Sequence, residues 1–180
     1  MSNMELRLSG SGGQGVILAS IILADTALRN GKNVAQSQSY GPEARGGMCK
    51  AEVLVSNEDI GFTKVTNPTF LMCLTQQSLN NFTKTIDENC ILLFDSSLTV
   101  PENVECKEIY SAPILKTAKE VVGKSFTANI VAVSVINKIL KLSSMEILKE
   151  VVGEYIPKGT ETINFNALEE GEKLELVKIK

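Results

Sequence analysis

The sequence predicts an α/β protein: a single-domain, Rossmann-like, mostly parallel sheet with helices on both faces. Three observations carry this. Strand-like and helix-like segments alternate along the 180 residues, the pattern of strands joined by helical crossovers. A glycine-rich run, Gly10-Ser11-Gly12-Gly13-Gln14-Gly15, stands between the first strand and the first helix, where a tight turn and close helix–strand packing are needed. No repeat, low-complexity tract or linker divides the chain, so residues 1–180 read as one domain with a core of ordinary size.

Leu6 to Ser9 reads as the end of the first strand, and Gln14 to Asn30 as a helix stopped by Asn30-Gly31. That helix is apolar nearly all round (Val16, Ile17, Leu18, Ile21, Ile22, Leu23, Leu28), which predicts burial on most faces. Asn33 to Gln38 is the second strand, Tyr40 to Met48 a Gly/Pro loop, and Lys50 to Val55 the third strand. Phe70 to Leu74 is a strand, followed by a polar helix from Gln76 to Lys84. Cys90 to Phe94 is the next strand, ending at Asp95, and the alternation from Val104 to Ile109 predicts another. The last third is mainly helical. It holds an amphipathic helix from Pro113 to Val122, a core helix from Ala128 to Leu140, and a helix from Met145 to Tyr155. Ser143 and Glu146 would form the capping box of that last helix, and Pro157-Lys158-Gly159 would end it. Glu161 to Phe165 reads as an edge strand.

Composition excludes several classes. The formal net charge is −3, and no Lys/Arg cluster offers a surface to nucleic acid or to an anionic membrane. The N-terminus lacks a signal-peptide pattern, and the apolar run Val16 to Leu23 is too short to span a bilayer. A cytoplasmic protein is expected. There is no histidine, which removes the commonest general base and zinc ligand. The four cysteines, Cys49, Cys73, Cys90 and Cys106, share no short spacing. They read as buried thiols, not ligands of a metal or an iron–sulfur cluster.

Two motifs carry the functional reading. In the first, Gly10 can make the tight turn, Gly12 lets another group approach the backbone, and Gly15 permits close packing. The free N–H groups of a helix start favour an anion. A dinucleotide site usually adds an acid about 20 residues on, but the second strand ends Gln36-Ser37-Gln38-Ser39-Tyr40. The second motif is Tyr40-Gly41-Pro42-Glu43-Ala44-Arg45-Gly46-Gly47. It should lie beyond the second strand, at the same sheet edge as the first, where open α/β sheets gather ligands and partners.

Taken together, Gly10–Gly15 and Tyr40–Gly47 resemble the gamma subunit of the 2-oxoacid:ferredoxin oxidoreductases. The resemblance continues through Phe70-Leu-Met-Cys-Leu-Thr-Gln-Gln-Ser-Leu79, Thr127-Ala-Asn-Ile-Val-Ala132 and Ile163-Asn-Phe-Asn-Ala-Leu168, and so covers nearly the whole chain as one gamma-type domain. The Tyr-Gly-Pro-Glu-Ala-Arg-Gly-Gly form is most like the 2-oxoglutarate branch, ahead of the pyruvate, branched-chain and indolepyruvate enzymes.

The resemblance implies a division of labour. Alpha and beta subunits hold thiamine diphosphate with Mg2+, and iron–sulfur clusters lie in the beta chain or a ferredoxin-like delta chain. The complex decarboxylates a 2-oxoacid oxidatively, forms an acyl-coenzyme A and reduces ferredoxin. The gamma chain itself is expected to carry no cofactor and no catalytic residue; with its apolar partner surface exposed in isolation, it is expected to form a homodimer. Gly10, Gly12, Gly13, Gln14, Gly15, Tyr40, Gly41, Pro42, Glu43, Arg45, Gly46 and Gly47 would form one edge that docks on the thiamine-binding subunits or lines the approach to their site. Arg45 is the expected charged contact across that interface. Asn129 is expected to satisfy buried backbone groups between helices. Two other readings remain: an autonomous dinucleotide-binding oxidoreductase, with Asp95 as a polar contact, and a pure assembly module.

Overall fold

The computed structural model describes residues 3–40 and 47–180. One seven-stranded sheet organises the chain, in the order β2-β3-β1-β4-β5-β6-β7. Its strands are β1 (Met4–Ser11), β2 (Asn33–Tyr40), β3 (Met48–Ser56), β4 (Phe70–Cys73), β5 (Ile91–Asp95), β6 (Glu108–Ala112) and β7 (Val177–Lys178). The ladders β1–β4, β4–β5 and β5–β6 are parallel. β3 is antiparallel to both β1 and β2, and β7 is antiparallel to β6. Only β3 and β7 therefore run against the rest, so the sheet is mostly parallel by direction.

Helices cover the two faces unequally. On one side lie α1 (Val16–Arg29), α4 (Ala128–Leu140), α5 (Met145–Tyr155) and α6 (Glu161–Lys173), over a core that includes Leu6, Leu8, Val53, Phe70, Met72 and Leu93. The other side carries α2 (Gln76–Phe82) over a smaller cluster of Leu71, Cys73, Leu79, Leu92, Phe94 and Ile109. The alternation of β1 explains the split, since successive side chains point to opposite faces. Leu6 and Leu8 enter the larger core, whereas Arg7 and Ser9 face α2 and its neighbours.

α4 is the centre of the helical layer; Ala128 to Asn137 are all buried. It crosses α6 closely. A Cβ on Gly171 would meet Ser134 Cβ at 2.7 Å and the Val131 carbonyl at 2.8 Å. The Ser134 hydroxyl donates to the Leu168 carbonyl in the same crossing. Among the described residues no helix is long and apolar enough to cross a membrane.

Several elements differ from the sequence expectation. Glu161 to Phe165 is the start of α6, not a strand. Ile163 and Phe165 mimic strand alternation, but the buried set is Asn164, Ala167, Leu168 and Gly171, a helical stripe. The last strand is β7 instead. β6 begins at Glu108, later than expected, because Cys106 packs into the smaller core from the preceding loop and pairing starts with the Lys107 N–H on the Cys90 carbonyl. The cap of α5 is Ser144, whose hydroxyl accepts from the Ile147 N–H. Ser143 is held by Asn137 through two hydrogen bonds. The helix expected from Pro113 to Val122 is a short α3 (Ile114–Lys116) that widens into a π turn over Thr117–Val121.

All four cysteines are free and buried. Burial pushes the Cys90 thiol up to about 12 and raises Cys73, Cys49 and Cys106 as well. The folded state keeps these protons where the unfolded chain, with thiols near pKa 8.5, releases them. Their contribution to stability is complete below about pH 8.5 and is lost as pH rises toward the folded values. The urea midpoint should fall steadily above about pH 9. A thiol reagent at neutral pH should label the native chain far more slowly than the unfolded one. Rapid native labelling of Cys73 or Cys90 would contradict this packing.

Candidate functional site

The glycine turn sits at the C-terminal end of β1, where the sheet changes character. On one side of β1 lies parallel β4, and on the other lies antiparallel β3. Such a point in an open sheet forms the crevice in which α/β proteins place ligands. Gly12 and Gly13 are exposed at the tip, while Gly15 is the N-cap of α1 in a left-handed conformation, φ 70°.

Gln14 braces the turn from inside. Its Oε1 accepts from the Ser11 N–H at 2.7 Å, and its Nε2 donates to the Leu74 carbonyl at 3.5 Å. A Cβ on Gly10 would stand 2.5 Å from Gln14 Oε1 and displace this amide from its bonds. The turn is thus pre-shaped by its own side chain and by the end of β4.

The second motif meets the first through the backbone. The Gly12 N–H donates to the Gly47 carbonyl at 3.1 Å. β2 ends at Tyr40 opposite Cys49, and Ser11 stands opposite Met48, so Tyr40 and the first motif lie at one end of the sheet. Gly41, Pro42, Glu43, Ala44, Arg45 and Gly46 lie outside the described residues, as does the side chain of Tyr40. The structure therefore brings together Gly10, Gly12, Gly13, Gln14, Gly15 and Gly47.

Asn129, in the first turn of α4, packs on the glycine turn. Its Nδ2 would lie 2.6 Å from a Cβ on Gly15. The residue is 5% exposed. Its side chain makes no hydrogen bond to another described residue, which corrects the expectation that it satisfies backbone groups between helices. Phe126, at the approach to α4, is 58% exposed. No periodicity marks the Asn129 contact in the sequence, because it arises from where α4 starts relative to α1.

The start of α1 is electrostatically open. No side chain caps it and no acid lies in its first turn. The N-terminal N–H groups of a helix left in this way favour an anion or an acceptor from another chain. Asp95 does not supply a contact here. Its Oδ1 accepts from the Ser97 N–H and hydroxyl, and its Oδ2 accepts from the Leu115 N–H at the start of α3. The end of β2, where a ribose-binding acid would stand, is separated from the turn by the inserted strand β3. Among the described residues, no group of three or more His, Cys, Asp or Glu side chains could hold a metal ion.

Comparison with known proteins agrees with this geometry. The chain is 39% identical over 170 residues to the 2-oxoglutarate synthase subunit KorC of Methanocaldococcus jannaschii, covering 93% of this chain and 91% of that one. It superposes on the gamma subunit of a keto/oxoacid ferredoxin oxidoreductase from Geobacter sulfurreducens with a TM-score of 0.84, at 34% identity and 95% coverage of both chains. The fold also recurs within the 2-oxoglutarate:ferredoxin oxidoreductase of Magnetococcus marinus, with a TM-score of 0.85 and 21% identity, across 96% of this chain and 31% of that one. The family model for pyruvate ferredoxin/flavodoxin oxidoreductase matches residues 5–174, and with the glycine turn, its Gly47 partner and the KorC relatives on the same framework, the chain belongs to the pyruvate ferredoxin/flavodoxin oxidoreductase family.

Proposed function

We propose that this chain is the gamma subunit of a 2-oxoglutarate:ferredoxin oxidoreductase, and that its glycine-turn edge is the part that faces the catalytic subunits. The observation that supports the site is the Gly12–Gly47 hydrogen bond, which ties the first motif to the last glycine of the second. The substrate reading rests on the KorC relatives, which span this chain nearly end to end. Thiamine diphosphate, Mg2+ and the iron–sulfur clusters would be held by the alpha and beta chains, with or without a ferredoxin-like delta chain. Electrons would leave to ferredoxin. A cytoplasmic location fits such a complex.

Within that complex the edge would line the approach of coenzyme A. The Magnetococcus enzyme carries coenzyme A and succinyl-CoA, and coenzyme A is a polyanion with an apolar arm. The open start of α1 and the unengaged Asn129 amide suit its anionic groups. Arg45 would add a fork for a carboxylate or phosphate.

The test is a gentle anaerobic pull-down of the tagged chain from its own cells. Larger partners containing thiamine diphosphate should accompany it, and the eluate should reduce viologen with 2-oxoglutarate and coenzyme A. In the assembled complex, Asn129→Ala should raise the KM for coenzyme A several-fold with the KM for 2-oxoglutarate unchanged. Arg45→Ala should weaken assembly or turnover. A chain recovered alone with bound nucleotide would replace this reading by an autonomous dinucleotide enzyme. Arg45→Ala that spoils assembly but leaves turnover per complex intact would favour a pure assembly role.

A further inference from the structure

The two edges of the sheet are built differently. At one edge, β7 is two residues long and carries Lys178, which pairs with Glu108. Short, lysine-bearing edges are a usual protection against pairing with another chain. The other edge is β2, eight residues long: Asn33-Val34-Ala35-Gln36-Ser37-Gln38-Ser39-Tyr40. It holds no proline, glycine or charged residue, and it pairs along its whole length with β3 without a bulge. Nothing in its sequence protects it.

The direction of its free backbone groups follows from bonds elsewhere in the sheet. The Glu5 and Ser9 carbonyls accept from β4-side N–H groups, and Gly47 faces Gly12 across β1–β3. Antiparallel pairs alternate between bonded and unbonded residues. Even-numbered residues of β3 therefore face β2, and on β2 these bond Asn33, Ala35, Ser37 and Ser39. The N–H and C=O groups of Val34, Gln36, Gln38 and Tyr40 point outward, beyond the last strand of the sheet.

A second feature borders this edge. The Gln36 amide donates to the Ser20 hydroxyl of α1, which fixes α1 beside β2. From Ser20, helical spacing places Ile17, Ile21 and Leu28 on the next stripe outward, between β2 and α5. Ile17 and Ile21 are partly exposed and Leu28 is 53% exposed. Asp25, one turn on from Ile21, borders the stripe on the α5 side and is paired with Arg29.

We propose that β2 and this stripe form a two-fold interface with a second copy of the chain, antiparallel β2 pairing making one continuous sheet through both copies. Self-complementarity selects the second copy. Pairing centred on Ser37 sets Gln36 opposite Gln38 of the partner and Val34 opposite its Tyr40, so every outward backbone group meets a bonding partner. The glutamine amides each offer donors and acceptors to the other, and no like charges meet along the strand. The same rotation brings α1 beside its symmetry mate, covering Ile17, Ile21 and Leu28. Such isologous pairing is the commonest form of soluble dimer. The interface uses neither the glycine turn nor its function.

Light scattering on the purified chain across a wide concentration range tests this. The expected mass is twice the 19.5 kDa of one chain. Hydrogen exchange should show the Val34, Gln36 and Gln38 amides protected. Gln38→Pro removes one outward N–H and leaves the β2–β3 bonds intact. Ile21→Lys sets two cations face to face across the two-fold axis. Each should raise the dissociation constant by at least about tenfold, and with it speed exchange at Val34 and Gln36, while circular dichroism stays native. Because Ile21→Lys lies on the helix, it tests the interface even if proline disturbs the strand. A chain monomeric at every concentration, with fast exchange along β2, overturns the proposal and assigns the edge to another protein's strand. A dimer that survives both substitutions overturns it equally.

Discussion

Gly15→Ala should destabilise the chain by about 2–5 kcal/mol, the larger effect of any alanine substitution in the glycine turn. Two costs combine. Gly15 holds φ at 70°, and a left-handed conformation costs a residue with a Cβ about 1–2 kcal/mol. The new Cβ would also lie 2.6 Å from Asn129 Nδ2 and 2.7 Å from its Cγ. Overpacking of this kind costs about 1–3 kcal/mol. Gly13→Ala provides the internal comparison, since φ is 94° there but nothing lies within 4 Å. It should show the conformational cost alone. Asn129→Ala in the Gly15→Ala background should recover part of the overpacking share and none of the conformational one. Urea unfolding of the four variants forms a cycle. A strictly additive cycle, or a Gly15→Ala loss below about 0.5 kcal/mol, would mean that Asn129 does not press on the turn.

That contact also shows where the sequence stopped being legible. The strand–turn–helix at Gly10–Gly15 could be read because its signals are local: apolar strand, glycines, apolar helix. The core helix Ala128–Leu140 and the helix Met145–Tyr155 could be read to the residue, because continuous apolar patterning defines them. Asn129 was visible as a residue, but not its place. Its neighbour Gly15 lies far away in the chain, and no periodicity reports which turn of α4 meets α1. The same limit explains Glu161–Phe165. Five residues that alternate fit a strand, and only the later burial of Leu168 and Gly171 against α4 makes them helical.

The direction of β3 is set by the length of its connection and not by its strand alternation. Lys50 to Val55 shows strand alternation, and the glycine-rich turn before it allows either a hairpin or a crossover. The hairpin follows from length, because parallel strands need a longer connection than the one between Tyr40 and Met48. That choice matters for function. It puts β3 between β1 and β2 and leaves Gly47 to close the edge of the turn. The same sequence signs that suggest a dinucleotide fold therefore build a different strand order beside the turn.

Arg7→Ala should cost about 3–5 kcal/mol, the range for breaking a buried ion pair by removing one partner. Arg7 and Glu52 are 7% and 6% exposed, and Arg7 Nε donates to Glu52 Oε1 at 2.7 Å. The guanidinium also donates to the Thr85 hydroxyl and the Val65 carbonyl and lies 5.5 Å from the centre of the Phe82 ring. It thus ties β1 to the loop after β3 and to the turn after α2. Removing it leaves Glu52 buried with Lys50 Nζ at 3.1 Å. Lys50 is the more exposed partner, 29% against 7%, so it offsets only part of the loss and sets the result toward the lower end of the range. The paired change Arg7→Met with Glu52→Leu removes both charges and should recover most of the stability, since apolar replacement of a whole buried pair is often neutral or favourable. Urea unfolding of the single and paired variants decides it. A single Arg7→Ala loss under about 1 kcal/mol, the scale of an exposed pair, would show that the interaction holds nothing together. A paired variant no better than the single one would place the cost in the lost Thr85, Val65 and Phe82 contacts instead of the stranded charge.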